Sequence, residues 1–247
     1  MIVDPWFYAA ALPAALLVGI SKSGFASGIG ALATPMLAMS VSVPQAAALV
    51  LPLLCLADVI GLVTLRRHAE WAVLRQLLPA GLVGIVIGWL SFGLLPAHVV
   101  GGITGAVTLA FLAWQLKFPA KADAAPPGPA ACAGLALTSG YTSFVAHSGG
   151  PPIVMALLPR RMAPLAYAGT SAVFFAGINA AKWLPYGLLG LIDLSNLATS
   201  AALMPVAATG VLLGIWATKY VSPRWFYRLV QWGMFLTGVK LLWDGLR

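Results

Sequence analysis

The chain has 247 residues, of which 61% are hydrophobic and only 8% charged, with a net charge of +8 and a mean hydropathy of +0.94. A soluble domain carries about 25% charged residues, so this composition excludes a water-covered globular domain and predicts an integral membrane protein. The basic residues lie mostly in short connections between apolar runs, where membrane orientation accounts for them and nucleic acid is not needed as a partner.

Eight apolar segments follow in chain order, at roughly 6–39, 44–65, 76–95, 98–116, 129–158, 164–186, 194–218 and 224–246. Most are long enough to cross about 30 Å of hydrocarbon as helices. The first begins at Trp6, behind Asp4 and without a preceding basic stretch, so it is expected to be retained rather than cleaved as a signal peptide. The one linker is at 119–128, where Lys121, Asp123 and Pro126-Pro127-Gly128 interrupt the apolar pattern. It separates a first half, 1–118, from a second, 129–247.

The halves resemble each other. Pro79, Gly84 and Gly88 recur 126 residues on as Pro205, Gly210 and Gly214. Ser27-Gly28 recurs 121 residues on as Ser148-Gly149, and Pro44 recurs 120 residues on as Pro164. The first segment is too long for one simple span, since 34 residues of helix would reach about 50 Å. Its middle, Ser21-Lys22-Ser23-Gly24-Phe25-Ala26-Ser27-Gly28, is too rich in glycine and polar groups for a lipid-facing helix. The fifth segment breaks in the same way at His147-Ser148-Gly149-Gly150-Pro151-Pro152. Interrupted segments at matching places in two halves point to a transporter binding site.

Two topologies compete. If segments one and five both cross, Arg66, Arg67, Arg75, Lys117 and Lys121 face Arg160, Arg161, Lys219, Arg224 and Arg228, five against five. If both are re-entrant hairpins, all ten fall on the cytoplasmic side against Arg247 alone. The second arrangement is preferred. It predicts an all-α polytopic membrane protein of two inverted repeats, each one broken hairpin plus three transmembrane helices.

Lys22 is costly inside an apolar segment, by about 2.5 kcal/mol or more, so it should face a cavity or a partner. Ser21, Ser23, Gly24, Ser27 and Gly28 surround it with hydroxyls and backbone N–H donors, a setting suited to an anion. His147, Ser148, Gly149 and Gly150 form the second such tip. Segment six carries Thr170, Asn179, Lys182 and Tyr186, the last three spaced to share one helix face. Asp58 lies at a similar depth in segment two and is expected to pair with Lys182. His147 and Asp58 are candidates for proton coupling. Cys55 and Cys132 read as packed core residues. No metal-ligand spacing, cofactor motif or Walker A motif appears.

Ser21-Lys22-Ser23-Gly24-Phe25, Ala146-His147-Ser148-Gly149-Gly150-Pro151-Pro152, Tyr167-Ala168-Gly169-Thr170 and Asn179-Ala180-Ala181-Lys182 with Tyr186 resemble the TauE/SafE family of sulfite and organosulfonate exporters. The resemblance runs over essentially the whole chain. It departs at Gly28-Ile29-Gly30, where many members carry three glycines. It implies a multi-pass protein of a bacterial inner membrane, a small anionic substrate such as sulfite or an organosulfonate, and roles for Lys22, His147, Asn179 and Lys182. The expected function is secondary transport by alternating access, with the anion near mid-membrane. A homodimer fits this architecture equally well. An anion channel, or an intramembrane enzyme using Ser148 beside His147, are the rival readings.

Overall fold

Apolar runs that must satisfy their own backbone groups in lipid become helices, and the computed structural model is helical throughout, with no strand among the described residues. It describes residues 2, 4–22, 29–117, 125–220 and 223–246. The order is α1 Pro5–Lys22, α2 Ala33–Leu37, α3 Val43–Leu65, α4 Trp71–Leu94, α5 Ala97–Lys117, α6 Pro129–Ala146, α7 Gly150–Leu157, α8 Pro164–Leu188, α9 Leu194–Tyr220 and α10 Pro223–Gly245. Among the described residues, three stretches, Val43–His68, Trp71–Phe92 and Leu194–Leu213, are long and apolar enough to cross a membrane on length and composition. Helix α4 starts at Trp71, five residues before the expected apolar run, because Arg75 interrupts the hydropathy pattern while Trp71, Ala72, Val73 and Leu74 continue the helix as apolar residues. Segment one comprises α1, a 3₁₀ turn at Ile29–Leu32 and α2, and most of its expected break, 23–28, lies outside the described residues. Segment five comprises α6 and α7, hinged at His147.

The helices are held by close backbone approach, as expected where lipid supplies no hydrophobic drive between them. A Cβ on Gly19 of α1 would overlap the Ala207 carbonyl of α9, and one on Gly210 would overlap the Leu16 carbonyl. A Cβ on Gly140 of α6 would overlap the Gly81 carbonyl of α4, and one on Gly84 would overlap the Leu137 carbonyl. Thus α1 packs on α9 and α6 packs on α4. Helices α5 and α10 pack through Gly105 and Gly238.

Helices α3 and α8 run antiparallel. The Trp183 indole N–H meets the Cys55 Sγ at 3.2 Å, Asn179 meets Asp58, and Thr170 Oγ1 accepts from the Glu70 N–H at 2.9 Å. Rising numbers on one helix therefore meet falling numbers on the other. Helix α7 likewise folds back along α6: Ser139 Oγ donates to the Gly149 carbonyl at 2.6 Å, and Arg160 reaches the Cys132 Sγ at 3.3 Å. One side chain, Gln76 on α4, joins the two far ends. Its amide N–H donates to the Pro129 carbonyl at 3.2 Å, and its oxygen accepts from Arg160 at 3.2 Å.

Gly140→Ala should lower stability by about 1–3 kcal/mol through overpacking against backbone that cannot yield. Gly134 has open space around its Cβ position, so Gly134→Ala should be neutral or stabilise by up to about 1 kcal/mol from helix propensity. Thermal unfolding of the two variants in detergent checks the contrast; equal midpoints would remove the close-packing account.

Candidate functional site

Hydrocarbon forces every charged side chain in a span to find a partner, and the inward polar residues of α1, α3, α6 and α8 find one another. Lys22 Nζ, at the last turn of α1, lies 2.8 Å from Asp58 Oδ1. It also stands 5.6 Å from the centre of the Phe175 ring, within cation–π range. The other carboxylate oxygen, Asp58 Oδ2, accepts from the Asn179 amide at 2.6 Å. This fixes the amide orientation, so Asn179 Oδ1 faces the other way and accepts from Lys182 Nζ at 2.9 Å. Lys182 Nζ reaches Ser143 Oγ at 2.7 Å and His147 Nδ1 at 2.9 Å as well.

The protonation pattern of His147 follows from its partners. Its Nε2 lies 2.8 Å from the Ala47 carbonyl, which can only accept, so Nε2 carries the hydrogen. Nδ1 is then the acceptor for Lys182, and the imidazole is neutral. Three acceptors surround one ammonium, and the Lys182 side chain is wholly buried. Tyr186, one turn on, is also buried and donates to the Phe144 carbonyl at 2.7 Å.

The backbone places His147 with some strain. Its φ of 52° and ψ of 27° are left-handed, a region that disfavours a residue with a Cβ by about 1–2 kcal/mol. The chain turns there through hydrogen bonds from the His147 N–H to the Ser143 carbonyl and from the Ser148 N–H to the Thr142 carbonyl, each 3.1 Å. Glycine suits such a helix end better. A histidine there implies that the imidazole, rather than the turn, is what the position requires.

Of the residues singled out in the sequence, the structure brings together Lys22, Asp58, Asn179, Lys182 and His147. Ser21 Oγ turns back to the Val18 carbonyl at 2.7 Å, and Ser148 Oγ to the Ala146 carbonyl at 3.2 Å. Gly149 and Gly150 form the start of α7 beside Ser139. Thr170 stands apart, at the Glu70 end of α8. Ser23, Gly24, Ser27 and Gly28 lie outside the described residues. The expected Asp58–Lys182 pair is not direct: the Asn179 amide bridges them, and the two carboxylate oxygens are already taken by Lys22 and by the Asn179 N–H. Sequence reasoning missed Ser143, and it missed Thr34. The Thr34 hydroxyl is completely buried on α2, and it is the one buried side-chain polar atom without a partner among the described residues. A cavity of 270 Å³ between α1, α3 and α9 is lined by Val18, Leu53, Leu56, Ile60, Val211 and Leu212; its apolar walls offer an anion nothing.

A family profile described as "Sulfite exporter TauE/SafE" matches residues 11–241. The chain belongs to the TauE/SafE family. It is therefore a membrane transport protein of a sulfite-exporter family. No curated protein and no solved structure matches it. The matched residues 11–241 include Lys22, Asp58, Ser143, His147, Asn179 and Lys182, so the buried cluster lies within the part of the chain that matches the family.

Asn179→Ala should leave Asp58 Oδ2 and one Lys182 proton unpaired, at a cost of about 1–3 kcal/mol each. Ser148→Ala removes only a local hydroxyl contact and should cost less. Unfolding temperatures of the two variants in the same detergent test this; a stable Asn179→Ala protein would show that the chain of hydrogen bonds carries no structural weight.

Proposed function

We propose that the protein is a secondary transporter that exports sulfite or a small organosulfonate across a bacterial inner membrane by alternating access. The anion would bind near mid-membrane, between the two broken helices, at the Lys22 end of the polar network. The carrying observation is the Asp58–Asn179 hydrogen bond. The two residues are 121 positions apart, the same shift that relates Ser27-Gly28 to Ser148-Gly149. Two equivalent residues can touch only at a symmetry axis, so this bond supports a twofold axis between the halves. Gly19 and Gly140, Leu16 and Leu137 share that shift, and Gly84 and Gly210 share the shift of 126 residues, so the α1–α9 and α4–α6 contacts are equivalent pairs.

The inverted-repeat topology has its own support. Antiparallel α3 and α8 bring the Arg66–His68 turn and the start of α8 to one end of the molecule. Gln76 ties the start of α6 to Arg160, as a hairpin that enters and leaves by one face requires. On this reading Arg66, Arg67, Arg75, Arg160 and Arg161 all face the cytoplasm.

Lys22 supplies attraction for the anion. Its side chain keeps 27% of its surface exposed, against 6% for Asp58, so it is the accessible cation of the network. The unpartnered Thr34 hydroxyl, on the other arm of the same hairpin, is a further donor for an anion there. His147 and Asp58 are the groups proposed to couple a proton to transport.

Single cysteines placed in the Arg66–Arg75 and Arg160–Arg161 loops should both resist an impermeant thiol reagent applied outside intact cells. Labelling at one loop alone would sink the hairpin topology. Lys22→Gln should lose one charge-assisted contact, about 2–5 kcal/mol, hence roughly 30-fold or more in sulfite affinity by calorimetry. A folded variant within about threefold of wild type would limit Lys22 to pairing with Asp58.

A further inference from the structure

We propose that the apolar cavity between α1, α3 and α9 is a seat for one acyl chain of an anionic phospholipid whose headgroup lies at Arg66 and Arg67. The shift between the halves accounts for the cavity. Under the shifts of 121 and 126 residues, α1, α3 and α9 correspond to α6, α8 and α4. In the second half the matching space is filled by the protein. Phe174 and Ile178 of α8 are wholly buried and close over Gly81 of α4. A Cβ on Gly81 would stand 2.8 Å from Ile178 Cδ1 and 3.0 Å from the Phe174 ring. Their counterparts on α3 are Leu53 and Ala57, and the counterpart of Gly81 is Ala207. Both α3 side chains are smaller, and Leu53, Ala57 and Ala207 line the 270 Å³ left unfilled. One notch is plugged from within; its counterpart stands open.

The open notch faces hydrocarbon. Leu56, Ile60 and Leu212 on its rim are exposed, so it is not sealed, and its apolar walls give water nothing to bond. Left empty, it forfeits dispersion contacts along every wall, and an acyl chain restores them. Lipid tails are as apolar as leucine, so shape alone confers little preference and the headgroup decides which lipid stays. Leu53, Leu56, Ile60 and Arg67 follow one another at spacings of three, four and seven along α3 and the turn after it, hence along one face. Leu53 and Arg67 are 67 − 53 = 14 residues apart, or about 21 Å of helix. One leaflet with its headgroups measures about 20–22 Å. A phosphate at Arg67 therefore puts the end of its chain at Leu53. Arg66 and Arg67 are both exposed, and two adjacent guanidiniums favour a headgroup with net negative charge.

The test uses phosphatidylglycerol and phosphatidylcholine, each carrying a photoactivatable diazirine near the end of one acyl chain. Full-length protein is reconstituted in phosphatidylcholine vesicles containing one probe at a time, and adducts are mapped by peptide mass spectrometry. In wild type, the phosphatidylglycerol probe should label 53–60 about fivefold or more above 82–86, the exposed stretch of α4 beside the plugged notch. It should also label 53–60 about tenfold more than the phosphatidylcholine probe does. Leu53→Phe combined with Ala57→Ile copies the plug of the second half and should bring 53–60 down to the level of 82–86. Arg66→Gln combined with Arg67→Gln should abolish the preference for phosphatidylglycerol. If the plugged variant does not fold, the wild-type contrast between the halves and the arginine variant still decide. Equal labelling of 53–60 and 82–86 in wild type, or labelling unmoved in the folded plugged variant, overturns the seat. Equal labelling by the two probes, or a preference that survives loss of both arginines, overturns the anionic occupant.

Discussion

The hydrogen bond between Asp58 and Asn179 is the joint on which the rest of the interior depends. It fixes which carboxylate oxygen is left for Lys22, and so where the end of α1 rests. It also fixes the direction of the Asn179 amide, and so which face of α8 offers an acceptor to Lys182. Lys182 in turn orients Ser143 and the His147 ring at the break between α6 and α7. Each member is a poor residue for a bilayer taken singly, and removing one strands its neighbours. The network is therefore a single cooperative object reaching from one broken helix to the other.

Around this joint the packing follows a different rule. Where the polar groups do not meet, helices approach until backbone touches backbone, and glycines mark those contacts at α1–α9, α4–α6 and α5–α10. Dispersion at short range replaces the hydrophobic drive that water would supply. Under the proposed transport cycle, such contacts make α1 move with α9 and α6 move with α4. The α3–α8 pair, held by polar groups that can exchange partners, is then the place where the halves change their relation.

Much of this was legible in the sequence, and for identifiable reasons. The helices follow from hydropathy, since lipid leaves no alternative. The two breaks follow from glycine, proline and polar clusters within apolar runs. Lys22, Asp58, Asn179, Lys182 and His147 stood out because ionisable groups are rare at that depth. Their wiring did not. Asp58 was expected to meet Lys182 directly, because opposite charges at similar depth suggest a pair, whereas an intervening amide serves both. Ser143 escaped notice because a serine in a helix commonly bonds its own backbone. It stands 121 residues after Lys22, however, and the repeat shift applied to each charged residue would have marked it. Thr170 was drawn toward the site by its place in a motif, yet its hydroxyl caps the turn before α4.

The α1–α9 contact has a consequence for how the chain is made. The notch at Gly19 is filled by the backbone around Ala207 and Gly210, nearly the full length of the chain downstream. At about 5–20 residues per second, α1 leaves the ribosome roughly ten to forty seconds before its partner exists. Helix α6, by contrast, emerges after α4, so the backbone that its Gly140 packs against is already made. Until α9 arrives, the end of α1 has its partner on α3, where Asp58 takes the Lys22 ammonium only 36 residues after it in the chain.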